Sequence, residues 1–329
     1  MKTILLSRKD IEKLLTMADC MDAVEKAFVD LAAGGAIMPQ RTPIAVEEHT
    51  GLALFMPAYI KGMGALGAKV VTVYKDNLTK HQLPVVLGTI ILLDDATGFP
   101  VAIMDGGFIT AMRTGAVSGV ATKYMARDDA KTGMIFGTGV QAYTQVLAMC
   151  EARVLEKILA YSLDSDEQKL DFKQRVEAAT GVTVEIAEDA EAAAREADVV
   201  TLATSAKDPI VHVDWFKEGA HINGVGSHAP KMRELDVGTV CKAKIVCDLV
   251  SACRAEAGDF MIPADEGKWS WDCVRGSLGE VISGNVKGRE NDEEITLFKS
   301  VGLAIQDMST ARAVYEKALK EGAGTEFEF

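Results

Sequence analysis

The chain has 329 residues, 48% of them hydrophobic, with 29 glycines, few aromatic residues and a formal net charge of −13 at pH 7. This length and composition fit a two-domain soluble α/β protein with ample cores. The acidic balance argues against nucleic acid or an anionic membrane as a partner, since both need a basic face.

Taken in chain order, Thr16 to Asp19 offers a T-x-x-D helix cap, and Met21, Val24, Phe28 and Leu31 form an apolar stripe ended by Gly34-Gly35. Strand-like pieces follow at Gly51 to Met56, Gly64 to Tyr74, Val85 to Leu93 and Pro100 to Met104. Turn signals such as Asp95-Ala96-Thr97-Gly98 join them, so they predict an antiparallel or mixed sheet of hairpins. The longest apolar run, Leu83 to Leu93, carries Pro84 and ends in Asp94-Asp95; it is too short to span a bilayer and predicts a buried strand. A small-residue helix, Thr110 to Ala126, comes next. From Lys131 the rhythm becomes strand, helix, strand, with strands expected at 132–136, 157–162, 182–186, 198–203, 219–225 and 244–248. That alternation predicts a doubly wound parallel sheet. A last long helix, Val301 to Ala323, is expected to pack back on the first domain.

The run Met134-Ile135-Phe136-Gly137-Thr138-Gly139-Val140-Gln141-Ala142 reads as a buried strand, a G-x-G-x-x-A turn and a helix start. In that geometry the glycines let backbone N–H groups approach a pyrophosphate, and the helix N-terminus adds positive partial charge. Alone the motif is weak; here the downstream helix pattern (Val146, Leu147, Met149, Cys150) and the strand Lys157 to Ser162 support it. About 120 residues precede it, enough for a domain that brings a substrate to a nicotinamide.

Six cysteines stand at 20, 150, 241, 247, 253 and 273, with no C-x-x-C and no histidines at ligand spacing. The expectation is no metal site and reduced, mostly buried thiols in a cytoplasmic protein. Cys253 beside Arg254 is a weak candidate for a reactive thiolate. The N-terminal residues lack the apolar core and cleavage site of a signal peptide.

Three basic residues stand in apolar or small-residue surroundings: Arg41 after Met38-Pro39-Gln40, Lys69 within Ala65-Leu66-Gly67-Ala68-Lys69-Val70-Val71, and Arg113 at the first turns of the helix Thr110-Ala111-Met112-Arg113-Thr114-Gly115-Ala116. A charge in such a run must be paired or must face an anion. Each alone is more simply a structural ion pair; together they suit a carboxylate substrate, which arginine forks and helix starts favour.

These residues belong to a longer pattern that resembles the ornithine cyclodeaminase/mu-crystallin family. Its marks are Lys69-Val70-Val71, Leu92 through Pro100, Met104-Asp105, Thr110 through Ala116, Gly137 through Ala142, His221 through Ser227, and Gly288 through Phe298 continuing to Ser300, Gly302 and Gln306-Asp307. The resemblance covers nearly the whole chain. It implies a Rossmann domain over 121–305 and an α+β substrate-binding and dimerisation domain over 1–120 with 306–329, paired in a homodimer. It implies that Arg41, Lys69 and Arg113 surround the substrate carboxylate and reacting nitrogen. Thr114, next to Arg113, and Gly137, Thr138, Gly139, Val140 and Gln141 would hold the cofactor phosphates. Thr204, Ser205, Val225, Gly226, Ser300 and Gly302 would lie along the nicotinamide and ribose.

Two departures carry information. Where ornithine cyclodeaminases place a catalytic aspartate, this chain has His228, which suits a proton donor but holds a second ammonium poorly. The Gly-His-Pro that follows the lysine strand in those enzymes is replaced by Val73-Tyr74-Lys75-Asp76. The second strand of the nucleotide domain ends Ser162-Leu163-Asp164-Ser165-Asp166, with no basic residue before Lys169 to neutralise a 2′-phosphate. Asp164 therefore favours NAD over NADP. The expected activity is NAD-dependent interconversion of an L-amino acid with its 2-imino or 2-oxo acid, as in the alanine dehydrogenases and imine reductases of the family. The alternatives are a cyclodeaminase and a cofactor-dependent binding protein like mu-crystallin.

Overall fold

A computed structural model describes residues 2–328. One compact unit takes the chain to Arg113 and again from Leu303; the other is Thr114–Gly302.

The first unit opens with β1 (Thr3–Leu6), α1 (Arg8–Leu14) and α2 (Met17–Ala32), then β2 (Ala36–Ile37), β3 (Thr42–Val46), β4 (Gly51–Ile60), β5 (Ala65–Tyr74), β6 (Val86–Leu93) and β7 (Pro100–Asp105). Helix α3 (Gly106–Met125) leads into the second unit. There β8 (Thr132–Phe136), α4 (Val140–Ala152), β9 (Lys157–Tyr161), α5 (Asp166–Thr180), β10 (Thr183–Ile186), α6 (Ala190–Glu196), β11 (Val199–Leu202) and β12 (His221–Gly224) follow. Next come α7 (Val237–Lys242), β13 (Lys244–Cys247), α8 (Val250–Glu256), α9 (Gly258–Asp265), β14 (Val274–Ser277), α10 (Leu278–Ile282) and β15 (Thr296–Lys299). The chain closes on the first unit with α11 (Ala304–Glu321) and β16 (Thr325–Phe327).

In the first unit the strands run β16-β1-β7-β6-β5-β4-β2, with β3 also on β4. All pairings are antiparallel except β1 with β7, so the sheet is mixed. The expected cap forms: Thr16 accepts from the Asp19 amide while the Asp19 carboxylate accepts from Thr16. Helices α2 and α11 pack together, and α11 lies along β4, β5 and β6. Period-two alternation decides what they cover. On β5 the residues Ala65, Gly67, Lys69 and Val71 are buried while their neighbours are only partly so. On β6, Ile90 and Leu92 are buried, but Val86, Leu87 and Ile91 are exposed. The expectation of a buried strand over Leu83 to Leu93 is therefore corrected: helices cover one face of this mixed sheet, not both.

The second unit is a fully parallel sheet in the order β10-β9-β8-β11-β12-β15-β13-β14. Both faces are buried, as parallel sheets require. Ile135, Ile158, Ala160 and Val199 pack with Val146 and Phe172 on one side; Met134, Phe136, Leu159 and Val200 pack with Val240 and Phe260 on the other. The strand order reverses at β8, which makes its carboxyl end the topological switch point where such folds bind ligands. In this sheet the sequence reading does not include β14 and β15, and in the first it does not include β1, β2, β3 and β16. Strand β15 inserts between β12 and β13, so the sixth place in the sheet is not taken by the strand expected at 244–248.

A Cβ on Gly67 would lie 2.2 Å from the Ile91 carbonyl oxygen and 3.0 Å from Met308 Sδ. Gly67→Ala should therefore overpack the β5–α11 contact and cost about 1–3 kcal/mol, read as a lower urea midpoint.

Candidate functional site

Lys69 lies on the buried face of β5, opposite Met56 on β4 and Ile90 on β6, and is 1% exposed. Nothing apolar there can satisfy an ammonium. The partner comes from α11: Lys69 Nζ lies 2.8 Å from both carboxylate oxygens of Asp307 and donates to Oδ1. Arg113 donates to the same carboxylate through Nε at 3.0 Å, and through Nη1 to Gln306 Oε1 at 2.7 Å. Arg41, half-buried before β3, is near enough for its charge to bear on the lysine. Burial first, then the Arg113 charge, pushes the Lys69 ammonium down to about 7, while Asp307 opposes the shift. The structure thus brings Arg41, Lys69 and Arg113 together. It corrects one detail, because α3 begins at Gly106 and Arg113 sits well inside it, so no helix start assists an anion there.

Asp307 was missed as a functional residue. Its signal was present: it occupies the buried stripe of α11 with Ala304, Met308, Ala311 and Val314. A carboxylate there must meet a cation.

In the second unit, Gly137 follows β8 with φ +104°, and a Cβ there would lie 2.9 Å from the Ala203 carbonyl oxygen. Gly139 caps α4 with no side-chain hydrogen bond, and no atom lies within 4 Å of where its Cβ would be. No acidic residue stands in the first turn of this 13-residue helix. Its leading N–H groups therefore face open space beside Gly139, Val140 and Gln141, a fit for the pyrophosphate of a dinucleotide. Thr114 of α3 accepts through its carbonyl from Gln145 Nε2 of α4 at 2.9 Å. Asp164, past the end of β9, turns towards the glycine turn: its carboxylate accepts from Thr138 Oγ1 and, at 2.6 Å, from Ser162 Oγ. These hydrogen bonds, Ser162 first, hold its carboxyl below the usual carboxylate range. The loop after β9 thus brings Asp164 back to the glycine turn.

The remaining candidates stand on loops at the carboxyl ends of β11, β12 and β15. Thr204 and Gly226 are joined by the buried Glu234, whose carboxylate accepts from Thr204 N and Oγ1 at 2.8 Å and from the Gly226 and Ser227 amides at 2.9 and 3.1 Å. Val225 is buried and Ser205 exposed. Lys299, fully buried, pairs with Asp259 at 2.7 Å and donates to the Ser227 carbonyl at 2.6 Å. Asp259 in turn accepts from the Glu234 and Leu235 amides. Asp248 gathers Ser300 Oγ and the Val301 and Gly302 amides at 2.8–2.9 Å. Glu234, Asp248, Asp259 and Lys299 were all missed. Charged residues beside apolar strands (Lys299 after Phe298, Asp248 after Cys247) were the available clue.

His228 is exposed in the loop after β12, with Nδ1 2.9 Å from the Gly226 carbonyl, so that nitrogen carries the hydrogen. Cys20, Cys247 and Cys253 are buried, but Cys241 and Cys273 are exposed, so burial of the thiols is less general than expected. Burial holds the Cys253 thiol well above its ordinary range, which corrects the idea of a reactive thiolate. Among the described residues no helix is long and apolar enough to cross a membrane.

A family model described as the ornithine cyclodeaminase/mu-crystallin family matches residues 1–322. The Δ1-pyrroline-2-carboxylate reductase of Bacillus cereus is 38% identical over 99% of this chain and 100% of its own. Among solved structures, that of Thermococcus litoralis Δ1-pyrroline-2-carboxylate reductase with NADH and L-proline superposes with a TM-score of 0.94 at 47% identity, covering 98% of this chain and 99% of that one. An archaeal alanine dehydrogenase dimer with bound NAD gives 0.93 at 37% identity, with both chains covered entirely.

Lys299→Met should leave the Asp259 carboxylate buried without its cation. The expected loss is about 3–5 kcal/mol, measured by urea unfolding, with a loosened loop around Gly226.

Proposed function

Because the chain belongs to the ornithine cyclodeaminase/mu-crystallin family, we propose that it is an NAD-dependent oxidoreductase interconverting an L-amino acid with its 2-imino acid. A cyclic imine such as pyrroline-2-carboxylate is the favoured substrate. The observation that carries this reading is the enclosed Lys69, held with Arg113 on the carboxylate of Asp307 and within reach of the Arg41 charge.

In this reading Arg41 and Arg113 attract the substrate carboxylate, and Lys69 Nζ gives its proton to the imine nitrogen. When bound, the reduced nicotinamide supplies a hydride, with its electron pair, to the imine carbon. The C=N π bond becomes one new C–H and one new N–H bond, and Lys69 regains a proton from water. The turn at Gly137, Thr138 and Gly139 and the start of α4 hold the pyrophosphate. The Asp164 carboxylate accepts from a ribose hydroxyl and repels a 2′-phosphate.

His228 in place of an acidic residue disfavours a substrate with a distal ammonium group, since a histidine holds a cation weakly and repels it when protonated. This separates the reductase reading from cyclodeamination. Support for a homodimer comes from the apolar side chains left exposed on the first unit's sheet (Ile44, Phe55, Val86, Leu87, Ile91) and from the dimeric archaeal relative. The free cysteines suit a reducing, cytoplasmic location.

The test follows NADH absorbance with pyrroline-2-carboxylate, and separately with pyruvate plus ammonia, and quantifies proline made from ornithine with catalytic NAD. Net NADH oxidation with an imine and little proline from ornithine are expected; stoichiometric proline without NADH accumulation returns the chain to the cyclodeaminases. Lys69→Ala should lower turnover about a hundredfold or more. The wild-type reductive rate should fall as pH rises through about 7, because the donor is the protonated lysine, and the oxidative rate should rise over the same range. On the cofactor side, NADH should bind more tightly than NADPH in a fluorescence titration, and Asp164→Ser should narrow that gap.

A further inference from the structure

In the first unit two buried cations, Lys69 and Arg113, share the one carboxylate of Asp307, and the Arg41 charge bears on the lysine. The groups facing Lys69 can be named from each side: Arg113 from α3, Asp307 from α11 and Arg41 from the segment before β3. Met56 and Ile90 flank it on the adjoining strands. Cys20 of α2 accompanies the cluster through its contact with Thr310, and burial pushes its thiol up to about 12, so it stays neutral. Asp307 is the anion that meets Lys69 directly. It stands in the first turn of the 18-residue α11, the end of a helix that attracts negative charge.

We propose that Asp307 is a positioning residue for this reaction: its carboxylate fixes Lys69 Nζ and Arg113 Nε in one geometry and keeps the lysine charged as the proton donor. It acts through Lys69 and rests on the reading of Lys69 as the group that protonates the imine nitrogen. Geometry supplies the reason. A single carboxylate bridging the two cations sets the spacing between the proton donor and the arginine that attracts the substrate carboxylate. Without it, two cations would face each other in a buried site, and the lysine would relieve the repulsion by losing its proton. The helix seats the bridge firmly, because Asp307 is fully buried in the same stripe as Ala304, Ala311 and Val314.

The experiment compares wild type, Lys69→Ala, Asp307→Asn and Asp307→Glu in two readouts. The first is the pH profile of imine reduction. The second needs no turnover: the titration of Lys69 by NMR in protein carrying 13C at lysine Cε, with the resonance assigned by its loss in Lys69→Ala. In Asp307→Asn both the alkaline limb of reduction and the Lys69 midpoint should move about 1–3 pH units lower, the range expected for loss of an adjacent opposite charge. Acidification should then recover much of the rate lost at neutral pH. Asp307→Glu, which retains a carboxylate, should move both less. If Asp307→Asn does not fold, Asp307→Ser, smaller and neutral, carries the same expectation. An unmoved Lys69 midpoint and limb in the neutral variants, with activity lowered equally at every pH, would assign Asp307 a structural role only and overturn the inference while leaving the Lys69 reading intact. Normal turnover in Lys69→Ala would overturn that reading, and the inference with it.

Discussion

A charge taken out of water must be met by an opposite charge or by well-aimed dipoles, because the desolvation cost in a protein interior exceeds what packing returns. This constraint organises both units. In the first, a lysine in the middle of a strand obliges the last helix to bring an aspartate to it, which ties β5 to α11 across more than two hundred residues of sequence. In the second, Glu234, Asp259 and Lys299 form a buried set that leaves no freedom to the loops after β11 and β12. Asp248 does the same for the loop after β15.

The consequence is that polar groups on loops and strands alike are held in defined places by buried carboxylates. Backbone amides that would otherwise wander in loops are held by buried carboxylates, so Thr204, Gly226 and Ser300 to Gly302 occupy defined places. Glycine is required where the backbones converge: a Cβ on Gly226 would lie 2.3 Å from the Thr204 carbonyl oxygen and 2.4 Å from Glu234 Oε1. In the cationic cluster one carboxylate, that of Asp307, holds both Lys69 and Arg113.

Strand β15 joins these themes. It enters the sheet between β12 and β13, so the chain passes through β13 and β14 before returning to sit beside β12. That return sets Ser300 and Gly302 next to the end of β12, where the Ser300 amide donates to the Gly224 carbonyl at 3.2 Å.

Local signals sufficed for much of this. The period-two and helical patterns, the Thr16 cap and the glycine turn placed β4 to β7 of the first sheet and β8 to β13 of the second, and the doubly wound order follows from the strand–helix alternation. Lys69 was legible because a lone charge in an apolar strand violates local expectation. The partner of that charge was not, since nothing near residue 69 in the chain points to residue 307; only packing of α11 on β5 decides it. Likewise the alternation of β6 could not say that one of its faces would stay uncovered, and the apolar run Leu83 to Leu93 read as a buried strand. The aim of Asp164 was set by loop hydrogen bonds from Thr138 and Ser162, which strand patterning does not reveal. Residue type announced where charge would be buried; tertiary structure alone chose which charges would meet, because pairing in the interior is decided by distance in space and not along the chain.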